Sequence, residues 1–213
     1  MMMLKMLRLV ALPLVLLHAG SASALVDAEA LAGKRWYKLD LTPNQHVSAT
    51  EVALAAHIDP IPLVPVSFGA RISQAALDTK DLKNYYGAES IATASVLEAG
   101  LDVMVWVPLI PIFTPYARLN IPVYGVWKVA GSATNGTATP RDFTHDARVS
   151  GGQVSVGFKY SPLPLIGVLL EVNHAAETWK ETTNKVAGQS LAVDAKNYAL
   201  TSNALFLGLE VGL

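Results

Sequence analysis

The sequence contains no cysteine in its 213 residues. Disulfides, thiol catalysis and cysteine-ligated metal sites are therefore all excluded. Positive charge is not in excess either, since 16 Lys and Arg stand against 17 Asp and Glu. Without a Lys/Arg cluster of the kind that tracks a phosphate backbone, we expect no nucleic-acid partner.

Long uncharged apolar runs are missing after the first two dozen residues, although 52% of the chain is hydrophobic. A helix that crosses a bilayer needs about 20 consecutive, mostly apolar residues. High apolar content without such a run indicates strands in which apolar and polar residues are interleaved.

The N-terminal segment has the pattern of a secretory signal peptide. Lys5 and Arg8 form a positive region, residues 9–17 are apolar, and residues 21–24 (SASA) offer a small-residue cleavage site. This arrangement is typical of segments that direct export and are then removed. We predict a cleaved signal peptide at 1–24 and an exported domain at 25–213.

The C-terminal stretch 203–213 (NALFLGLEVGL) alternates strictly, with Leu or Val at every second position from 205 to 213. A strand sends successive side chains to opposite faces, so one face here is aliphatic. Gly208, Val211 and Leu213 match the assembly signal at the C-terminus of bacterial outer-membrane β-barrels, which this tail resembles. Phe206 stands where that signal usually has a polar residue, and the chain ends in Leu instead of an aromatic residue. The resemblance implies recognition by the barrel-assembly machinery.

The alternation of connections along the chain agrees with this resemblance. Eight alternating segments are predicted as strands, near 26–37, 51–58, 66–73, 97–107, 117–128, 153–160, 168–177 and 203–213. Proline-rich segments at 59–65, 108–115 and 161–164 predict short turns. Polar segments around Pro43 and at 74–88, 130–150 and 181–190 predict longer loops. The fold class is therefore all-β, an eight-stranded antiparallel up-and-down transmembrane β-barrel with prolyl periplasmic turns and longer outer loops.

Two local features refine this prediction. Pro122 lies within the fifth strand and predicts a break or bulge there. Aromatic residues are expected at both headgroup levels, where amphipathic rings are favoured. The loop-end set is Trp36, Tyr37, Tyr124, Trp127, Trp179 and Tyr198, and the turn-end set is Trp106, Phe113, Tyr116, Phe158 and Tyr160.

If the aliphatic faces meet lipid, many charged residues face inward. The predicted lumen network contains Asp27, Glu29, Arg35, Glu51, Arg71, Glu98, Asp102, Arg118, Lys128, Lys159, Glu171 and Glu210. An eight-stranded barrel has an interior just wide enough for side chains to fill, and buried charges must be paired. We therefore expect a plugged lumen; the alternative is a narrow conduit in which surplus acids favour cations.

Catalytic chemistry finds little support in the sequence. The lipid A deacylases of this fold place Ser two residues after a strand His, whereas His174 is followed by Ala175 and Ala176. His145 falls in the predicted loop 130–150, where a lone His is usually solvated. Histidines this dispersed predict no metal site, and we expect no catalytic residue and no cofactor. A soluble lipocalin-like binder remains an alternative because Trp36 follows Gly33 closely, although that signature has one residue fewer between the two.

The predicted lipid face of the first strand is unusually small, with Ala28, Ala30 and Ala32. Small residues let surfaces approach closely in a bilayer, which suggests a protomer interface. The alternative is that the first strand simply has small outward side chains where it pairs with the last strand to close the barrel. The chain as a whole resembles the class of small Gram-negative, porin-like barrels that includes the transmembrane domain of outer membrane protein A and the X- and W-type barrels. The resemblance implies a bacterial outer-membrane location, lipid contact, and a structural or interaction role with self-association.

Overall fold

The computed structural model describes residues 26–39, 46–59, 64–86, 88–107, 112–134, 139–163, 165–194 and 196–213. The predicted signal peptide lies outside these residues. The described elements are β1 (Val26–Leu39), β2 (His46–Ile58), β3 (Val66–Leu77), α1 (Thr79–Tyr86), β4 (Ser90–Trp106), β5 (Phe113–Ala133), β6 (Arg141–Leu163), β7 (Ile166–Val186), β8 (Gln189–Ser190) and β9 (Asn197–Gly212). Within this part of the chain, no helix is long and apolar enough to cross a membrane.

The sheet closes on itself. Each long strand pairs antiparallel with its neighbour in sequence, and β1 also pairs with β9, from Asp27 opposite Gly212 to Leu39 opposite Leu200. The two-residue β8 pairs only with the end of β7 and does not enter the ring. Eight strands therefore form a cylinder in which β1 lies opposite β5 and β3 lies opposite β7. The predicted fold is confirmed.

The exterior carries the apolar residues, as the alternation predicted. In β2 the exposed positions include Leu54, which is 61% exposed, whereas Ala53 beside it is buried. In β9 Leu207 is 62% exposed and the adjacent Phe206 is fully buried. In a closed cylinder the strands pair all backbone N–H and C=O groups with one another, and the aliphatic belt on the outside can contact the hydrocarbon of a bilayer.

The strands extend further than the sequence pattern indicated. The prediction of a loop over 130–150 was wrong, because β5 continues to Ala133 and β6 begins at Arg141. The register there pairs Val129 with His145 and Gly131 with Phe143. Hydrophobic alternation fades beyond the apolar belt because outward side chains no longer contact lipid, but backbone pairing continues.

The connection from β3 to β4 contains a helix that the sequence analysis assigned to a polar loop. The carboxylate of Asp78 accepts a hydrogen bond from the Lys80 amide at 2.8 Å and caps α1. Asp81 then accepts from the Ser48 amide at 3.0 Å and from its hydroxyl at 2.8 Å. These bonds hold the helix against β2, with the side chain of Leu82 fully buried.

A bulge in β5 confirms the irregularity predicted at Pro122. In the pairing of β4 with β5, Gly100 lies opposite Pro122 and the preceding residue, Ala99, lies opposite Tyr124. Val123 therefore has no partner on β4. Because one residue has been inserted, every later side chain of β5 changes face.

Candidate functional site

Val26, Leu213 and the short turns lie at one end of the cylinder, called the turn end, and the longer connections lie at the other, called the loop end. Two layers of buried polar side chains occupy the lumen between them. The turn-end layer consists of Glu29, His57, Arg71, Asp102, Arg118 and Glu171. The loop-end layer consists of Arg35, Glu51, Glu98, Gln153, Glu177 and Ser202.

Arg118 is the centre of the turn-end layer. Its guanidinium crosses the lumen from β5 to β1, where Nη2 donates to Glu29 Oε2 at 2.6 Å. Nη1 lies 3.2 Å from Glu171 Oε2, and Nε lies 3.4 Å from Asp102 Oδ2. One buried cation therefore faces three carboxylates on three different strands, an arrangement suited to the planar fork of arginine.

A second contact crosses the lumen between the opposite strands β3 and β7. Arg71 on β3 donates from Nη1 to Glu171 Oε1 on β7 at 2.9 Å. Glu171 is fully buried and also accepts from Ser155 at 3.0 Å and from Tyr116 at 3.2 Å. His57 completes the layer, with Nε2 placed 2.8 Å from Asp102 Oδ2.

The loop-end layer has more acids than bases. Arg35 pairs with Glu51 and donates to the Ser202 hydroxyl at 2.8 Å. Glu98 and Glu177 share a different donor, the Gln153 amide nitrogen, at 2.8 Å and 3.0 Å. Three carboxyl groups therefore accompany one guanidinium in this layer.

Phe206 lies between the two layers. Its ring is fully buried, and the guanidinium carbons of Arg35 and Arg71 lie 5.8 Å and 5.1 Å from its centroid. Gly33 provides the space for this ring, since a Cβ at that position would lie 2.7 Å from Phe206 Cδ1. The aromatic residue at the unexpected position of the tail is thus a core residue that contacts both arginines.

Four members of the predicted network are placed away from these layers, namely Asp27, Lys128, Lys159 and Glu210. Lys159 pairs with Glu210 at the turn end, and Asp27 is half-buried close to this pair. Lys128 is exposed on the outside of the barrel, so its placement in the lumen was wrong. The unpaired Val123 is the reason, because it moves Trp127 inward and Lys128 outward.

The loop end of the lumen is closed by an apolar cluster that the sequence analysis missed. We call this cluster the apolar cap; it comprises Tyr37, Val47, Ala49, Ala75, Leu77, Leu82, Val96, Trp127, Val129, Ala147, Val149, Trp179 and Leu200. Tyr37 of β1 meets Trp127 of β5 edge to face across the lumen, with centroids 5.4 Å apart. The expectation that Tyr37, Trp127 and Trp179 form part of a headgroup girdle was therefore wrong, whereas Trp36 and Tyr124 do face outward.

His145 lies on β6 at the edge of the cap and not in a loop. Tyr86 of α1 is 2.9 Å from its Nδ1, and Glu181 of β7 is 2.5 Å from its Nε2. The other oxygen of Glu181 accepts from the Asp194 amide at 2.5 Å. These contacts connect the helix, the barrel wall and the segment before β9. The Asp194 carboxylate accepts from the hydroxyl of Tyr198, and this bond lowers the pKa of Asp194.

The remaining predicted residues lie along the seam where β9 meets β1. Gly208 faces inward, and Val211 and Leu213 face outward in the belt. Ala28, Ala30 and Ala32 are exposed on the outside of β1. Among the described residues, no group of three or more His, Asp or Glu side chains has the geometry of a metal site.

The architecture resembles several solved outer-membrane proteins. Neisserial surface protein A is 12% identical, with a TM-score of 0.58 over 88% of this chain and 97% of that one. A major outer membrane protein of Thermus thermophilus is also 12% identical, with a TM-score of 0.50 over 86% of this chain and 98% of that one. The fold is that of the small outer-membrane β-barrels.

The apolar exterior of this cylinder is the surface that a barrel of this fold presents to lipid. No protein-family model matches the sequence, and no curated protein matches it either. The structural likenesses are at low identity and concern the fold alone. The role of the barrel must therefore be argued from its own side chains.

Proposed function

We propose that this chain is a closed outer-membrane barrel whose lumen is plugged by its charge network. Its role is either structural or to bind a partner, which includes another copy of the barrel. The observation that carries the proposal is the pair of contacts that each join two opposite strands across the lumen. Arg118 joins β5 to β1, and Arg71 joins β3 to β7, with Glu171 contacting both arginines. A solute that passed between them would have to separate buried charges from their partners, which is costly in a low-dielectric interior.

The apolar cap supports the same conclusion at the loop end. Tyr37 and Trp127 meet across the lumen, and Leu82 of α1 is fully buried among the cap residues. A hydrated ion would lose its water before it reached the polar layers. We accordingly propose neither a transport role nor a catalytic one.

Conductance in planar bilayers tests this proposal. We expect the purified full-length barrel, inserted at measurable density, to show no reproducible single-channel steps, because both layers and the cap block the lumen. Stable steps would contradict the plugged lumen and favour the cation conduit. In that case Glu98→Gln/Glu177→Gln, which removes two carboxylates from the loop-end layer, should reduce cation selectivity.

The small outer face of β1 is the surface we propose for self-association. Ala28, Ala30 and Ala32 are exposed at successive outward positions, and close approach of such surfaces favours packing in a bilayer. Interaction through this face would leave the plugged lumen unchanged, so the two parts of the proposal are independent.

Ala30→Trp tests the interface. We expect the variant to be smaller than the wild type by sedimentation in detergent, because the indole prevents close contact between protomers. Leu119→Trp, on the outer face of β5 at the opposite side of the barrel, is the matched control and should leave the wild-type size unchanged. An unchanged size for Ala30→Trp would contradict self-association through β1.

A further inference from the structure

The outward-facing charges at the border of the apolar belt are almost all basic. They follow the aliphatic positions of four strands on the loop-end side, and they are Lys34, Lys38, Lys128, Arg148 and Lys180. The neighbouring acid, Asp146, is half-buried and lies directly opposite Lys128 in the register. The outer rim of these four strands on the loop-end side therefore carries a net positive charge.

Arg148 and Lys180 form the unusual part of this border. They are direct partners across β6 and β7, and both side chains are exposed. Like charges directly opposite each other destabilise a sheet. Within the part of the chain that the structure describes, neither residue has an ion pair to offset this repulsion. An anion between them would remove the cost.

Hydroxyl groups lie directly below this basic pair. Ser150 and Thr178 are the next outward partners toward the belt, with their hydroxyl oxygens 3.0 Å apart. Farther down β6 and β7, the outward partners are Gly152 with Ala176, Val154 with His174, and Val156 with Val172. From the rim inward, the order is therefore two cations, two hydroxyl groups, two small residues, the His174 imidazole beside Val154, and then hydrocarbon.

We propose that Arg148 and Lys180 bind the phosphate of an anionic lipid in the outer leaflet. A phosphate offers several acceptor oxygens to guanidinium and ammonium donors. The hydroxyl groups of Ser150 and Thr178 lie between this phosphate and the belt, where Thr178 donates to the Ser150 carbonyl at 3.1 Å. The acyl chains of the same molecule would lie along the aliphatic surface of β6 and β7. A lipid fits this order of side chains better than a free anion does, because Val154, Val156 and Val172 follow the polar residues on the same outer face.

The test is a titration of the detergent-solubilised full chain with diphosphoryl lipid A, followed by native mass spectrometry. We expect Arg148→Gln/Lys180→Gln to weaken binding by about tenfold or more, since each basic residue near an anionic lipid surface contributes about 1 kcal/mol. Lys34→Gln/Lys38→Gln is the matched control: it removes the same charge from β1, which β9 separates from β7, and should change binding by less than about twofold. An equal loss in both double variants, or no loss in the first, would overturn the proposal.

Two further titrations identify the ligand. Lipid A without phosphates should bind the wild type and Arg148→Gln/Lys180→Gln equally, because only the acyl contacts remain. A difference that persisted with this probe would contradict phosphate recognition. Excess inorganic phosphate should not displace diphosphoryl lipid A from the wild type; displacement would indicate a free-anion site and overturn the assignment to lipid. Because all four side chains are exposed, the variants should keep the compact form, which migrates faster on a denaturing gel before boiling than after it.

Discussion

Arg118→Met is expected to lower the free energy of unfolding of the barrel by about 3–5 kcal/mol, the usual cost of removing one partner from a buried charge pair. The substitution keeps an unbranched side chain of similar length but leaves Glu29, Asp102 and Glu171 without their shared cation. Glu171 retains Arg71, whereas Glu29 and Asp102 retain only His57. Most of the loss should therefore arise on the β1 and β4 sides of the layer.

Urea unfolding in phospholipid vesicles measures this difference. Arg148→Met removes the same charged group from the exposed rim and serves as the control, with an expected change of less than about 1 kcal/mol. Arg118→Met/Glu29→Gln should recover part of the loss, because it also removes one of the unpaired carboxylates. A loss below about 1 kcal/mol for Arg118→Met would show that water or lipid headgroups reach the layer and that it is not a buried network.

The fold was predictable because its main signal is local. Strict alternation at 52–58 and 205–213 identified which side chains face lipid, and the order of prolyl turns and longer loops gave the topology. The same alternation would have placed Tyr37 and Trp179 inside, since they share a face with Arg35 and Glu177. An amphipathic ring favours a headgroup position, but the position of these two rings in the strand places them in the apolar cap.

Other parts of the site depend on features that alternation cannot express. Pro122 indicated a bulge, but the number of inserted residues decides whether Lys128 faces in or out, and only the register gives that number. Which acid contacts which base is set by the stagger of the strands around the ring. Arg118 reaches Glu29 across 89 positions in the sequence, and no local pattern predicts such a pair. The contact of His145 with Tyr86 likewise required the helix between β3 and β4.

Leu207→Arg is the second large prediction, because it places a charge in the middle of the apolar belt. Leu207 is exposed on β9, and its partners on the two neighbouring strands are Ala32 and Leu170. An arginine on the lipid face near the bilayer midplane costs about 2–4 kcal/mol, and the cost falls to about 0–1 kcal/mol near the interfaces. Thr201→Arg lies on the same face of the same strand, opposite Lys38 above the belt, and is the matched control.

The free energies of unfolding of these two variants in phospholipid vesicles test the central claim, that aliphatic side chains face hydrocarbon while the charged ones are enclosed. The account predicts a loss of about 2–4 kcal/mol for Leu207→Arg and about 1 kcal/mol or less for Thr201→Arg. Equal and small changes in both variants would mean that the outside of β9 faces water, and would contradict the account.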